Sequence, residues 1–151
     1  MTCGACYAFT ATSAIECEYK MKKNVSVELS PQQLVDCSFN YGNEGCEGGL
    51  MRYAFRYIKD HNITTEQNYP YTNSEHLCKE EGGAYSIKSY TKIRSQSVSA
   101  LKKALASHVL TVAIATTPGM KYYKTGVLDE QDVCGENVDH AVVATGYEVE
   151  I

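Results

Sequence analysis

Seven cysteines fall in a chain of 151 residues, and two of them open it: Cys3-Gly-Ala-Cys6 stands immediately before a run with helical periodicity. Two cysteines three apart at a helix start can be half of a metal clamp, a redox pair, a structural staple, or a reactive thiol beside a staple. The cysteine density and two N-x-[ST] triplets, Asn24-Val25-Ser26 and Asn62-Ile63-Thr64, point to an oxidising, exported setting. A net charge of −4 leaves no clustered basic face of the kind that grips nucleic acid. The tightest basic groups, Lys20, Lys22 and Lys23 and then Lys102 and Lys103, read as solvated helix faces. No stretch has the apolar length needed to span a bilayer, so neither nucleic acid nor membrane is expected as a partner. Met1 runs straight into Thr2 and Cys3 with no basic and apolar leader, so an export signal is expected upstream of this sequence.

Hydrophobic spacing predicts a helix from Cys6 to about Lys22, with Phe9, Thr12, Glu16 and Tyr19 on one stripe and Ala8, Ala11 and Ile15 beside it; so broad an apolar surface calls for burial. "SPQQLVDCS" starts a second helix, with Ser30 as N-cap, Pro31 in the first turn and Gln33 completing a capping box. "NYGNEGCEGG" holds four glycines in ten residues and reads as a tight loop where backbone makes a close approach. "LMRYAFRYIKDHN" is a third helix with Leu50, Ala54, Tyr57 and Ile58 on one side and Asn62 as a left-handed stop. Residues 63–92 are turn-rich. "SVSALKKALAS" then gives a short amphipathic helix (Val98, Leu101, Leu105), and strands are expected at 109–115, 121–129 and 138–151. Helices first and strands later imply an α+β fold, divided near residue 90 into a helical lobe (1–91) and a β-rich lobe (92–151).

The chemistry of Cys3 and Cys6 separates the readings. Zinc wants four ligands, often as two close pairs, but Cys17, Cys37, Cys46, Cys78 and Cys134 form no second C-x-x-C, and His76-Leu77-Cys78 has a poor ligand spacing. No metal site is expected. A thiol–disulfide exchanger using Cys3 and Cys6 stays in play, although such motifs follow a strand in a βαβ unit and nothing downstream alternates in that way. A nucleophilic thiol needs help to ionise, and a helix N-terminus supplies up to ~2 kcal/mol of it. It also needs an imidazole as proton carrier. His61 ends a helix, His76 lies in a polar loop and His108 in a connection; His140 alone heads an apolar strand, "VDHAVVATGY", a rigid mount for a catalytic group.

Taken together, these segments resemble the papain and cathepsin family of cysteine peptidases. "CGACY" fits that family's C-G-[SA]-C-[WY] signature, and His140 falls 134 positions after Cys6, the family's spacing. "LSPQQLVDCS", "GNEGCEGGLM", "AFRYI", "YPY", "VAIA", "YYKTGV" and "DHAVVATGY" follow in family order, closest to the cathepsin L-like branch. The resemblance covers essentially the whole chain and implies a two-lobed fold, helical on one side and β-barrel-like on the other. It implies that Cys6 is the nucleophile, that its backbone N–H is half of the oxyanion hole, and that His140 is its partner. It pairs Cys3 with Cys46 and Cys37 with Cys78, making Cys3 the staple. It assigns Gly48 and Gly49 to a backbone edge that pairs with an extended peptide. Leu50, Met51, Ala113, Val138, Asp139 and Ala141 would bind the substrate, the apolar ones forming a pocket for Leu, Phe or Val one before the scissile residue. Glu16 matches a buried structural glutamate.

The same resemblance marks departures. Tyr7 stands where the family usually has Trp. The Gln that completes the oxyanion hole belongs before Cys3, the Asn that orients the histidine belongs beyond Ile151, and the partner of Cys134 lies there too. The sequence therefore reads as the middle of a longer protease, its β-rich lobe incomplete, and the 151 residues alone are expected to be nearly inactive. Cys17 is expected to be a buried free thiol. The activity implied is endopeptidase, without cofactor, on peptide and protein substrates in a lysosomal or secreted setting. A propeptide and cystatin-like inhibitors are implied as partners. A non-catalytic binding module of the same fold is the other reading.

Overall fold

The computed structural model describes residues 2–79, 82–128 and 135–148. Its spine is helix α1, Cys6–Lys23, which buries Tyr7, Ala8, Thr10, Ala11, Thr12, Ala14 and Ile15. Small residues at 8, 11 and 14 let neighbouring elements approach the helix closely, and Asn24 ends it in the left-handed conformation (φ 55°, ψ 28°) with its N–H returned to the last turn. Helix α2, Pro31–Cys37, packs on α1, and so does α3, Met51–His61; Leu34, Val35, Ala54, Tyr57 and Ile58 close a core with the buried face of α1.

Helix α4, Val98–Leu105, precedes strand β1, Leu110–Ile114, which pairs antiparallel with β2, His140–Ala144. Leu110 faces Ala144 and Ile114 faces His140 in the register. Both strands lie against α1, so one helix supports the helical core and the sheet alike. Beyond Tyr69 the described residues contribute a single buried apolar side chain, Ala141.

The α2 start forms half of the expected box. The Ser30 hydroxyl accepts the Gln33 N–H at 3.0 Å, but the Gln33 side chain does not return to Ser30. It donates to the Tyr57 hydroxyl and to the Gly82 carbonyl and accepts the Thr64 N–H, while the Ser30 N–H is taken by the Thr64 carbonyl. A fully buried amide with three partners outweighs a local cap. Asn62 takes the positive φ expected of it (66°) but leaves with ψ near 180°, turning the chain into the bridge between Ile63 and Tyr85.

Two further expectations are corrected. The strand expected at 121–129 is absent from its described part: a 3₁₀ turn, Pro118–Tyr122, begins at a proline, and Gly126 has φ +94°, which an extended strand cannot accommodate. Residue 129, like 149–151 at the end of the last expected strand and Cys134, lies outside the described residues. Leu50 sits just outside α3 and is 45% exposed, not part of its buried side. The apolar face of α4 is open, with Val98 67% exposed.

Glu16 accepts the Leu29 N–H at 2.7 Å, tying α1 to the segment before α2. Burial raises its pKa above the usual carboxylate value; the Leu29 bond opposes this, and Glu28 and Glu66 add to the rise. A raised folded-state pKa means stability present at acid pH and lost as pH climbs through it. Glu16→Gln keeps the acceptor and removes the charge. Its melting temperature is therefore expected to exceed wild type at pH 7, with the gain shrinking towards pH 4; a gain independent of pH in parallel thermal melts would contradict this.

Candidate active site

Cys6 is the first residue of α1, half-buried, and its thiol is outside any disulfide. Helices α2 and α4 are each capped by a serine hydroxyl, whereas no side chain caps α1 and no acidic residue sits in its first turn. The orphan amides and the positive end of the helix dipole thus meet the thiol without a competing acceptor. The approach to Cys6 is held from the other side. Disulfides join Cys3 to Cys46 (Cα–Cα 4.4 Å) and Cys37 to Cys78 (4.8 Å). The Gly4 N–H donates to the Cys46 carbonyl at 2.8 Å, and a Cβ on Gly4 would stand 2.8 Å from that oxygen, so a side chain there would force the two segments apart. Tyr7, fully buried, donates its hydroxyl to the Gly45 carbonyl at 3.1 Å, a bond to the glycine loop; burial pushes its pKa far up, keeping it a neutral donor.

The glycine loop turns through 3₁₀ segments at Phe39–Tyr41 and Gly45–Glu47. Gly48 leaves it with φ +124° and ψ −173°, a conformation only glycine adopts readily. Open space lies where its side chain would be, while a Cβ on Gly49 would strike Asn43 Oδ1 at 2.4 Å. Leu50 and Met51 follow, Met51 partly buried against the core.

His140 is the first residue of β2 and exposed. The other histidines are engaged: His61 stacks on Tyr57, His76 Nε2 meets Thr72 Oγ1 at 2.9 Å, and His108 Nδ1 meets Glu18 Oε1 at 3.0 Å. Among the described residues the His140 ring has no hydrogen-bond partner. Its neighbour Asp139 is fixed by Thr116, whose N–H and hydroxyl both donate to the carboxylate; these bonds, the N–H first, hold its pKa below the usual value. Ala113 and Ala141 are cross-strand partners, and Val138, two residues before His140, is 64% exposed. Candidate residues thus come together in two groups. One is Cys6 with Gly48, Gly49, Leu50 and Met51 around the stapled loop; the other is Ala113, Val138, Asp139, His140 and Ala141 on and beside the sheet that rests on α1.

Sequence reasoning passed over Asn43 and the Tyr7 hydroxyl. Asn43 is 2% exposed, and an amide so deeply buried has bonding obligations. Its signal was a polar residue inside a glycine loop, which reads equally well as a turn former. Cys17 lines a separate cleft of about 730 Å³ with Glu16, Lys20, Glu28 and Tyr85, which contains none of the candidate site residues. Among the described residues no group of three or more His, Cys, Asp and Glu side chains could hold a metal ion.

The chain is thus an α+β protein with an unbridged thiol at an uncapped helix start, beside a glycine loop stapled by a disulfide. The family model for papain family cysteine proteases matches residues 1–151. A cathepsin L-like peptidase of Aedes aegypti is 44% identical over 150 residues, covering 96% of this chain and 44% of its own length. Among solved structures, bromelain from Ananas comosus in complex with the E64 inhibitor superposes with a TM-score of 0.85 at 32% identity, covering 97% of this chain and 68% of that one. Digestive procathepsin L 3 of Tenebrio molitor larval midgut gives 0.85 at 31% identity, covering 93% and 47%. The chain belongs to the papain family of cysteine proteases, with a papain-like α+β fold. It spans less than half the length of the curated relatives it matches.

Proposed function

We propose that the protein, at the length of its relatives, is a cysteine endopeptidase in which Cys6 and His140 form the reacting pair. The observation that supports the reading is that helix α1 and strand β2, which carry the two groups, pack against each other. The Cys6 thiol is outside any disulfide at the uncapped start of α1, and His140, whose ring has no hydrogen-bond partner among the described residues, heads a strand resting on that helix. The Cys6 thiolate attacks the scissile carbonyl carbon, and the carbonyl oxygen takes the negative charge against the Cys6 N–H. The His140 imidazolium protonates the departing amine as the carbon–nitrogen bond breaks, leaving a thioester on Sγ. His140 then takes a proton from water, whose oxygen displaces the thiol and releases the acid. Residues 1–91 and 92–151 act as two lobes, with the peptide between them. Leu50, Met51, Ala113, Val138 and Ala141, all apolar, favour Leu, Phe or Val one before the scissile residue. The setting is lysosomal or secreted, and a propeptide and cystatin-like inhibitors are the partners that fit. Among the described residues no helix is long and apolar enough to cross a membrane.

Alkylation by iodoacetamide against pH, with the modified cysteine identified by mass, tests the pair. An ordinary thiol is almost inert near pH 5. Cys6 alone is expected to react rapidly there, and His140→Ala to abolish that reactivity. Equal rates at Cys6 and Cys17 in the full-length protein would favour a binding module of the same fold. Thiol–disulfide exchange by Cys3 and Cys6 has less support, because the Cys3 sulfur is bonded to Cys46.

A further inference from the structure

The backbone edge at Gly48 and Gly49 has a buried support. Asn43 Oδ1 accepts the Leu50 N–H at 2.9 Å, and Asn43 Nδ2 donates to Ser38 Oγ at 2.8 Å. Ser38 is itself fully buried at the end of α2 and donates its hydroxyl to the Leu34 carbonyl, which fixes its lone pairs towards Asn43. The amide therefore cannot flip without losing both bonds, and its oxygen is directed at the strip that follows Gly49. Gly49 lies directly on it: a Cβ there would fall 2.4 Å from Oδ1 and 3.0 Å from the Tyr7 ring. The Gly48 carbonyl is held by the Glu44 N–H at 2.9 Å, while among the described residues the N–H and C=O of Gly49 make no hydrogen bond. The Gly48 carbonyl and the Leu50 N–H on either side are thus tied inward, and Gly49 keeps its donor and its acceptor open.

We infer that Asn43 is a positioning residue for substrate: anchored by Ser38, it holds the Leu50 N–H and the underside of Gly49, so that the Gly49 backbone is presented rigidly to an extended peptide. This rests on the reading of Gly48 and Gly49 as the substrate edge. Pairing by main-chain hydrogen bonds gains affinity when the receiving strand is already ordered, because the ordering entropy is not lost on binding. Asn43 touches neither the thiol nor the imidazole, so its effect falls on peptide recognition and not on the intrinsic reactivity of Cys6.

The experiment compares two reagents on Cys6 of the full-length protein: iodoacetamide, which has no peptide, and a peptidyl chloromethyl ketone carrying Leu one before the reactive residue. Wild type is expected to prefer the peptidyl reagent strongly. Asn43→Ala should lower that preference about five- to tenfold, the weight of one lost buried hydrogen bond, with the iodoacetamide rate unchanged. Ser38→Ala, which leaves the Leu50 bond but frees the amide, should give a smaller fall of the same kind and serves where Asn43→Ala does not fold. An unchanged preference in these variants, or an equal fall in both rates, overturns the role of Asn43 alone. No peptide preference in wild type refutes the substrate edge itself, and Asn43's role with it.

Discussion

Cys6→Ala is expected to abolish the peptide hydrolysis proposed for the full-length protein, with turnover falling at least about 10³-fold while the fold stays intact. The reaction proposed here passes through a covalent bond to Sγ, and no other described sulfur can replace it. Cys3 is bonded to Cys46 and Cys37 to Cys78, and Cys17 lies in a separate cleft with Glu16, Lys20 and Glu28 that contains none of the candidate site residues. Alanine at the first position of α1 satisfies the helix, and Cys6 is only half-buried, so the stability change should stay within about 0.5 kcal/mol. Hydrolysis of a Leu- or Phe-containing peptide, read alongside circular dichroism, separates the two quantities. Activity retained in the folded variant would place the chemistry on a different residue.

Removing the Cys37–Cys78 bridge has a large expected effect on stability. It closes a separation of 41 residues, and loop-closure entropy at that length is about 4 kcal/mol. That is a large part of the roughly 5–15 kcal/mol holding a typical domain together. The bridge is the covalent member of a cluster that binds the irregular segment after Ile63 to α2. Asp36 accepts from Gln32, from the His76 N–H and from the Tyr69 hydroxyl, and the Gln32 carbonyl oxygen accepts the Thr72 N–H. Burial, with help from Asp36, pushes Tyr69 up to about 12, so the phenol remains a donor across the working pH range. Cys37→Ala/Cys78→Ala should lower the denaturation midpoint accordingly, measured by urea titration with the Cys3–Cys46 bond intact. Cys37 lies inside the loop closed by Cys3 and Cys46, so each bridge shortens the loop the other closes in the unfolded chain, and deleting both should cost at least the two separate losses added.

What the sequence made legible followed from local rules. The span of α1, the Ser30 cap and the buried side of α3 at Ala54, Tyr57 and Ile58 depend on periodicity and first-turn chemistry. The misread positions depend on distant partners. Gln33 left its box because Tyr57, Gly82 and Thr64 offered a buried amide more bonds than Ser30 could. Residues 121–128 carry the alternation of a strand, but Pro118 and the positive φ of Gly126 shaped the backbone first. Among the site residues, Cys6 and His140 could be singled out by element and spacing. Asn43 could not, because its value lies in Ser38 and Leu50 being brought to either side of it.

The bond between Cys3 and Cys46 bears on biogenesis as well as on shape. A chain that oxidises with two thiols three residues apart faces an easy error, a small ring between Cys3 and Cys6 that would silence the reactive sulfur before the protein ever met a substrate. Drawing Cys3 43 residues away to Cys46 removes that neighbour, and the Gly4 contact with the Cys46 carbonyl holds the correct mate in reach once the loop has folded. The pairing that results keeps the Cys6 thiol outside any disulfide, as the proposed nucleophile requires.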